Sequence, residues 1–259
     1  MKYLQLRVST DGSPSPFFHP TLRFTDHSKL RSLNLIDVST ASILRSVGNA
    51  LFFAEQLSEL TIWIDEDVVL SLNLIFAGWP KPKMLNLKTL DLRRFSKLGL
   101  SPQSIWQQIS VVYLTDLTLE IGSSLQTDDY ENFWEEAVTW GVQLTRLRTN
   151  LISEGLTNFI CSFSGLEVLL LKSCFLPWPV ELISSFLSTV AHEHSNSLRV
   201  LAIHAQGVNK REYLLDQKHL ISLSLSCTKL QELGFGILEH NLVSQLFLFK
   251  FSLLTVYTS

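Results

Sequence analysis

The chain has few of the residues that staple or punctuate small folds. Three cysteines, Cys161, Cys174 and Cys227, are too few and too scattered for a disulfide framework. No Asn-x-Ser/Thr glycosylation sequon occurs either. Both absences point to a reducing, intracellular setting, cytoplasmic or nuclear. An excess of positive charge is also missing. The 21 Lys plus Arg face 24 Asp plus Glu, a net of −3, which removes the electrostatic footprint of a nucleic-acid binder. The N-terminal residues lack the basic segment and apolar run of a signal peptide. The tract Leu242 to Tyr257 is interrupted by Gln245 and Lys250 and falls short of the ~20 residues of a membrane span. It reads as an irregular terminal segment, and no membrane association is expected.

What is abundant is leucine, 49 of 259 residues, in a chain that is 46% hydrophobic with 11 Gly and 8 Pro. The fragment L-x-x-L-x-(L/I/F) recurs at Leu30, Leu57, Leu87, Leu114, Leu166, Leu198 and Leu230, with degenerate copies at Met1 and Leu144. Successive starts lie 22 to 32 residues apart, a mean of about 28.6, which is one strand plus one helix. At this leucine content about three matches are expected by chance. Eight occur, and only LISLSL at Leu220 is out of phase, so it competes with Leu230 for the last strand.

Between the fragments lie helical periods. Ser39 to Ala54 places Ile43, Val47, Ala50, Leu51 and Ala54 on one face, with Ser39 or Thr40 as N-cap. Ser101 before Pro102 opens a segment to Val112. Asp128 or Asp129 caps a helix through Trp140 with Phe133, Trp134, Ala137 and Trp140 inward. Pro179 starts another with Leu182, Ile183, Phe186, Leu187 and Val190 inward. A strand-helix unit cannot bury its apolar edge alone, so neighbours must stack to make a core. The expectation is an α/β solenoid over residues 1–259, a single domain of about nine irregular repeats, with a parallel concave sheet and helices on the convex side.

LEVLLLKSCFL, Leu166 to Leu176, matches the eleven-residue consensus of the leucine-rich repeats, with Cys174 in the Asn/Cys position. Elsewhere that position holds Val38, Asp65, Phe95, Gly122 and Gln206. On these residues the chain resembles the leucine-rich-repeat family. SCTKLQEL, Ser226 to Leu233, is similar to the junctions of F-box repeat proteins. The tryptophan-bearing units NFWEEA, Trp79-Pro80 and Trp178-Pro179 resemble the fungal members. The resemblance implies a horseshoe and protein recognition, as in the substrate-binding half of an F-box ubiquitin-ligase receptor. The F-box of that family, a three-helix adaptor-docking module ahead of the repeats, has no counterpart in the residues from Met1 onward. Adaptor binding is therefore doubtful, and the chain reads either as a truncated or alternatively started relative or as a bare repeat array.

Motifs for chemistry are lacking. There is no phosphate-cradling glycine loop; Gly234-Phe235-Gly236 is a strand end. Phe163-Ser164-Gly165 lacks the first glycine of a nucleophile elbow and reads as the turn before a strand. His192 and His194 flank Glu193 but point to different sides of a helix, and a solvated helix end is the plainer reading. Cys174 is expected buried and inert. Asp65-Glu66-Asp67 is expected to cap a helix starting near Val68. No catalytic residue, metal or cofactor is expected, and the partner is an unidentified protein.

Alternation sends the motif leucines inward and the third, fifth and seventh positions outward. The seventh-position column reads Ile36, Trp63, Arg93, Glu120, Asn150, Lys172 and His204. The fifth contains Arg148, Leu170 and Ala202, and the third Arg146, Val168 and Val200. Trp63, Arg93, Arg146 and Arg148 are the residue types of binding hot spots, and Val168, Leu170, Val200 and Ala202 form an apolar stretch. Together with Lys172 and His204 they are the candidate partner-binding face. The alternatives are a face covered by a terminal segment, a degenerate fragment without independent function and, remotely, an enzyme with an unrecognised site.

Overall fold

The structure, a computed structural model, describes residues 3–7, 28–77, 79, 84–98, 105–122, 127–173, 180–205 and 217–235. The chain divides into two compact units, Met1–Val142 and Gln143–Ser259.

Unit 1 holds strands β1 Tyr3–Arg7, β2 Ser32–Val38, β3 Glu59–Ile64, β4 Thr89–Phe95 and β5 Asp116–Ile121. Each pairs in parallel with the next. Between them lie helices α1 Ala41–Phe53 and α2 Asn73–Phe76 and a 3₁₀ turn at Ile105–Gln107, and helix α3 Thr127–Thr139 follows β5. Unit 2 repeats the scheme with β6 Arg146–Thr149, β7 Val168–Ser173, β8 Val200–Ala205 and β9 Glu232–Phe235, again parallel in sequence order. Helices α4 Glu154–Cys161, α5 Val180–Glu193 and α6 Gln217–Ser226 lie between these strands. The class is α/β with parallel strands, because each strand is followed by a return segment long enough to bring the next one alongside in the same direction.

The motif leucines make both cores. Leu30, Leu33, Leu35, Leu57, Leu60, Leu87, Leu90, Leu92, Leu114, Leu117 and Leu119 are buried in unit 1, and Leu144, Leu147, Leu166, Leu169, Leu171, Leu198, Leu201, Leu230 and Leu233 in unit 2. Successive repeats are locked at the second motif position by one recurring arrangement. The Arg31 carbonyl accepts from the Ser58 and Glu59 amides at 2.9 and 3.1 Å, and the Glu167 carbonyl accepts from Arg199 and Val200 at 2.8 and 3.0 Å. Ser58, Lys88, Thr145 and Arg199 carbonyls do the same. Because the backbone makes these bonds, the second position tolerates Arg, Ser, Lys, Thr or Glu.

Strands β2 and β4 each carry one extra residue. The register shifts after Leu35 and after Arg93, so that Val38 meets Ile64 and Phe95 meets Ile121. The surplus residues, Asp37 at φ 57° and Arg94 at φ 63°, take the left-handed conformation typical of a bulge.

The structure corrects several expected helices. In α1, Leu44 and Gly48 are buried with Val47, Ala50 and Leu51, whereas Ile43 is only half-buried. Thr40 is the N-cap, but its hydroxyl meets Ser42 Oγ at 3.0 Å instead of capping an amide. No helix starts at Val68: Asp65 to Val68 forms a turn closed by the Val68 amide on the Asp65 carbonyl, and α2 begins at Asn73. Asp128 and Asp129 lie inside the first turn of α3, where carboxylates favour the positive helix end. Trp140 lies beyond that helix and is exposed, while Tyr130 joins Phe133 and Trp134 inside. The segment after Ser101, expected to be helical, is a single 3₁₀ turn in its described part, and Ser101 and Pro102 lie outside the described residues. Ile183, Phe186, Leu187 and Val190 of α5 are buried as expected, Leu182 is half-buried, and Pro179 lies outside the described residues. Leu230 leads into β9, and Leu220 belongs to α6. Helix α4 has no counterpart among the expected helices; Ser153 caps it, its hydroxyl accepting from the Leu156 amide at 3.1 Å.

The paired histidines separate. His192 is solvated, 84% exposed at its side chain, but His194 is wholly buried, which overturns the expected solvated helix end for that residue. Cys174, Gln206, Gly236 and the tract Leu242 to Tyr257 lie outside the described residues.

Candidate functional site

Each unit presents its own outward strand face, and the candidate residues fall on both. In unit 1, Trp63 and Arg93 are register partners on β3 and β4, and Arg93 is the partner of Glu120 on β5. Arg93 is engaged within the protein. Its Nε and Nη2 donate to the two oxygens of Asp91, each at 2.7 Å, in the bidentate fork that suits a carboxylate. Glu120 Oε1 stands 3.8 Å from Nη1, and the guanidinium lies 4.2 Å from the centroid of the Trp63 ring. Burial works against the charge, but the Asp91 hydrogen bond and the Asp91 and Glu120 carboxylates outweigh it and raise the Arg93 pKa. Beside this cluster, Asn34 Oδ1 and Trp63 Nε1 are buried with no hydrogen-bond partner among the described residues. Sequence reasoning selected Trp63 and Arg93 but not Asp91, although Asp91 sits two residues before Arg93 on the same strand face, where a partner carboxylate is expected.

Unit 2 is different. Register places Arg146, Val168, Val200 and Glu232 in one row across β6 to β9, and Arg148, Leu170, Ala202 and Gly234 in the next. Lys172 pairs with His204 in the third row, and the His204 side chain lies outside the described residues. Arg146 is exposed; Arg148, Val168, Leu170, Lys172 and Val200 are half-buried; Ala202 is buried, as is Asn150 just beyond β6. The expected apolar stretch is thus assembled across β7 and β8, with arginines on β6 beside it. Along the second row the side chains shrink from guanidinium to isobutyl to methyl to hydrogen. The β9 ends of the two rows, Glu232 and Gly234, were legible only through the Leu230 fragment.

Among the described residues no group of three or more His, Cys, Asp or Glu is placed to hold a metal ion, and no helix is long and apolar enough to cross a membrane. Free thiols are found at exposed Cys161 and buried Cys227. Each unit thus presents a face of parallel strands built from recurring strand-helix units. Comparison with protein-family models, curated proteins and solved structures finds no match for the chain.

Proposed function

We propose that the chain is a leucine-rich-repeat solenoid of the horseshoe type whose role is non-catalytic protein recognition, and that unit 2 carries the recognition face. The observation that supports it most is the register that sets Val168 beside Val200 and Leu170 beside Ala202 at outward positions, since a partly exposed apolar patch on a strand face is a common mark of a binding surface. The partner that fits is an extended protein segment with apolar side chains for Val168, Leu170 and Val200. Such use resembles that of the substrate-binding half of an F-box receptor. The free thiols of Cys161 and Cys227 support an intracellular setting.

The test is quantitative affinity purification of the wild type and of an Arg148→Glu plus Leu170→Asp variant whose circular dichroism matches it. Loss of the co-purifying proteins, by tenfold or more, is the expected result. An unchanged set of partners from the folded variant overturns the proposal.

A further inference from the structure

We propose that His194 is an acid-operated latch of unit 2: the neutral ring ties the end of α5 to the start of β7, and protonation releases them. The residue is completely buried, yet nothing in the proposed recognition face uses it. Its Nδ1 accepts the Leu166 amide at 3.4 Å, and an imidazole nitrogen that accepts must be bare, so the proton of the neutral ring sits on Nε2. That Nε2 is buried without a partner in good hydrogen-bond geometry, although the Ile160 carbonyl lies near enough to favour a proton on the ring. The ring packs on Phe163, with centroids 5.1 Å apart, and Phe163 packs in turn on Phe159 of α4 at 5.0 Å.

The backbone around His194 belongs to the same fastening. Its carbonyl accepts the Ser197 and Leu198 amides at 3.0 and 2.9 Å, and Ser197 Oγ reaches back to the Leu166 carbonyl at 2.9 Å. Leu166 is the first motif residue of the β7 repeat, and Leu198 that of the β8 repeat. One residue therefore joins a helix end to the entries of two strands, by its ring at Leu166 and by its backbone carbonyl at Leu198.

Protonation would destroy this in two ways. The cationic ring has a hydrogen on Nδ1, which then faces the Leu166 N–H donor instead of accepting from it. It would also place a charge where no carboxylate receives it. Glu193, next to it on α5, favours the charged form, but its carboxylate already takes His192 Nδ1 at 2.9 Å. The titratable groups of α4, Glu154 and Cys161, are exposed. Glu167 at the entry to β7 and Arg199 at the entry to β8 lie 4.0 Å from each other. Helix α6 brings no titratable group among its described side chains. Burial is the largest influence on the ring and lowers its pKa, with the Ile160 carbonyl and Glu193 opposing it less strongly.

The experiment follows the Leu166 and Leu198 amides by hydrogen exchange on the whole chain from pH 7.5 to 5, corrected for intrinsic exchange, in the wild type and in His194→Asn. Asparagine keeps an acceptor near the Nδ1 position and cannot titrate. In the wild type, protection at both amides is expected to fall about tenfold per pH unit once the pH drops below the ordinary histidine range, as one linked proton requires. In His194→Asn it is expected to stay flat. Equal pH profiles in the two proteins overturn the latch. Should the variant fold poorly, the imidazole signals of wild-type His194 decide instead. Titration with an ordinary pKa overturns the proposal, and an Nε2–H ring that resists protonation until the amides open supports it.

Discussion

His194 and Cys227 are buried titratable side chains of unit 2, and both resist carrying charge. For His194 the folded-state pKa is lowered. Above the ordinary value near 6.5 both folded and unfolded chains hold it neutral, and its contribution to stability is complete. As pH falls through that value the unfolded chain binds the proton first, so stability is lost until the folded-state pKa is reached. Melting of His194→Asn should consequently depend less on pH between about 7 and 5 than melting of the wild type. Cys227 follows the same logic with the opposite sign of proton affinity, since burial pushes its thiol up to about 11. At pH 8 about 0.1% of it is thiolate, so a maleimide should label exposed Cys161 at least tenfold faster than Cys227, as read by peptide mass mapping. Similar rates at the two sites would show that the Cys227 environment is open. Neither burial was legible locally. The His-Glu-His spacing looks like a helix end, and the decisive contact is with an amide 28 residues away.

The elements show which signals in the sequence had physical force. Strands were legible because two opposite faces are enforced within six residues, leucine against core and polar groups against solvent. Helices were less so, because their length is set by what the neighbouring repeat leaves room for: α1 and α3 have 13 residues, α2 only 4. Gly48 illustrates the reason. A Cβ there would stand 1.8 Å from the Ile75 carbonyl oxygen, so α1 and α2 touch through backbone. The indole of Trp79 also donates to the Gly48 carbonyl at 2.9 Å. Gly48→Ala must push α2 away, and an overpacked contact against rigid backbone should cost about 3 kcal/mol or more. Gly141, at φ 65° with open space around its missing Cβ, is the control: Gly141→Ala should cost only about 1–2 kcal/mol, from conformation alone. Denaturant melts compare the two directly, and equal losses would mean that α2 yields to the added methyl without cost. The bulges of β2 and β4 had a trace in the sequence as well. Asp37 and Arg94 lie 57 residues apart, the length of two repeats, and the repeats that carry them are the ones followed by the shorter step of 27.

At the scale of the whole molecule, the strong packing within each unit runs between successive repeats: β2 on β3 on β4 on β5, β6 on β7 on β8 on β9, α4 on α5 on α6. A stack of this kind stores its stability in neighbour interfaces, and a defect should weaken its surroundings before the rest. Phe159 offers the sharpest case, being wholly buried in α4 and stacked on Phe163, which carries the His194 ring. Phe159→Ala removes a large core side chain and should cost about 3–5 kcal/mol. If neighbour interfaces dominate, hydrogen exchange in the variant will accelerate in α4, α5 and the β6–β7 ladder. Protection in β2, β3 and β4 will stay within about twofold of wild type. Loss of protection to the same degree in both units would instead mark one cooperative body, and the solenoid reading would have to yield to a globular α/β core with a shared interior.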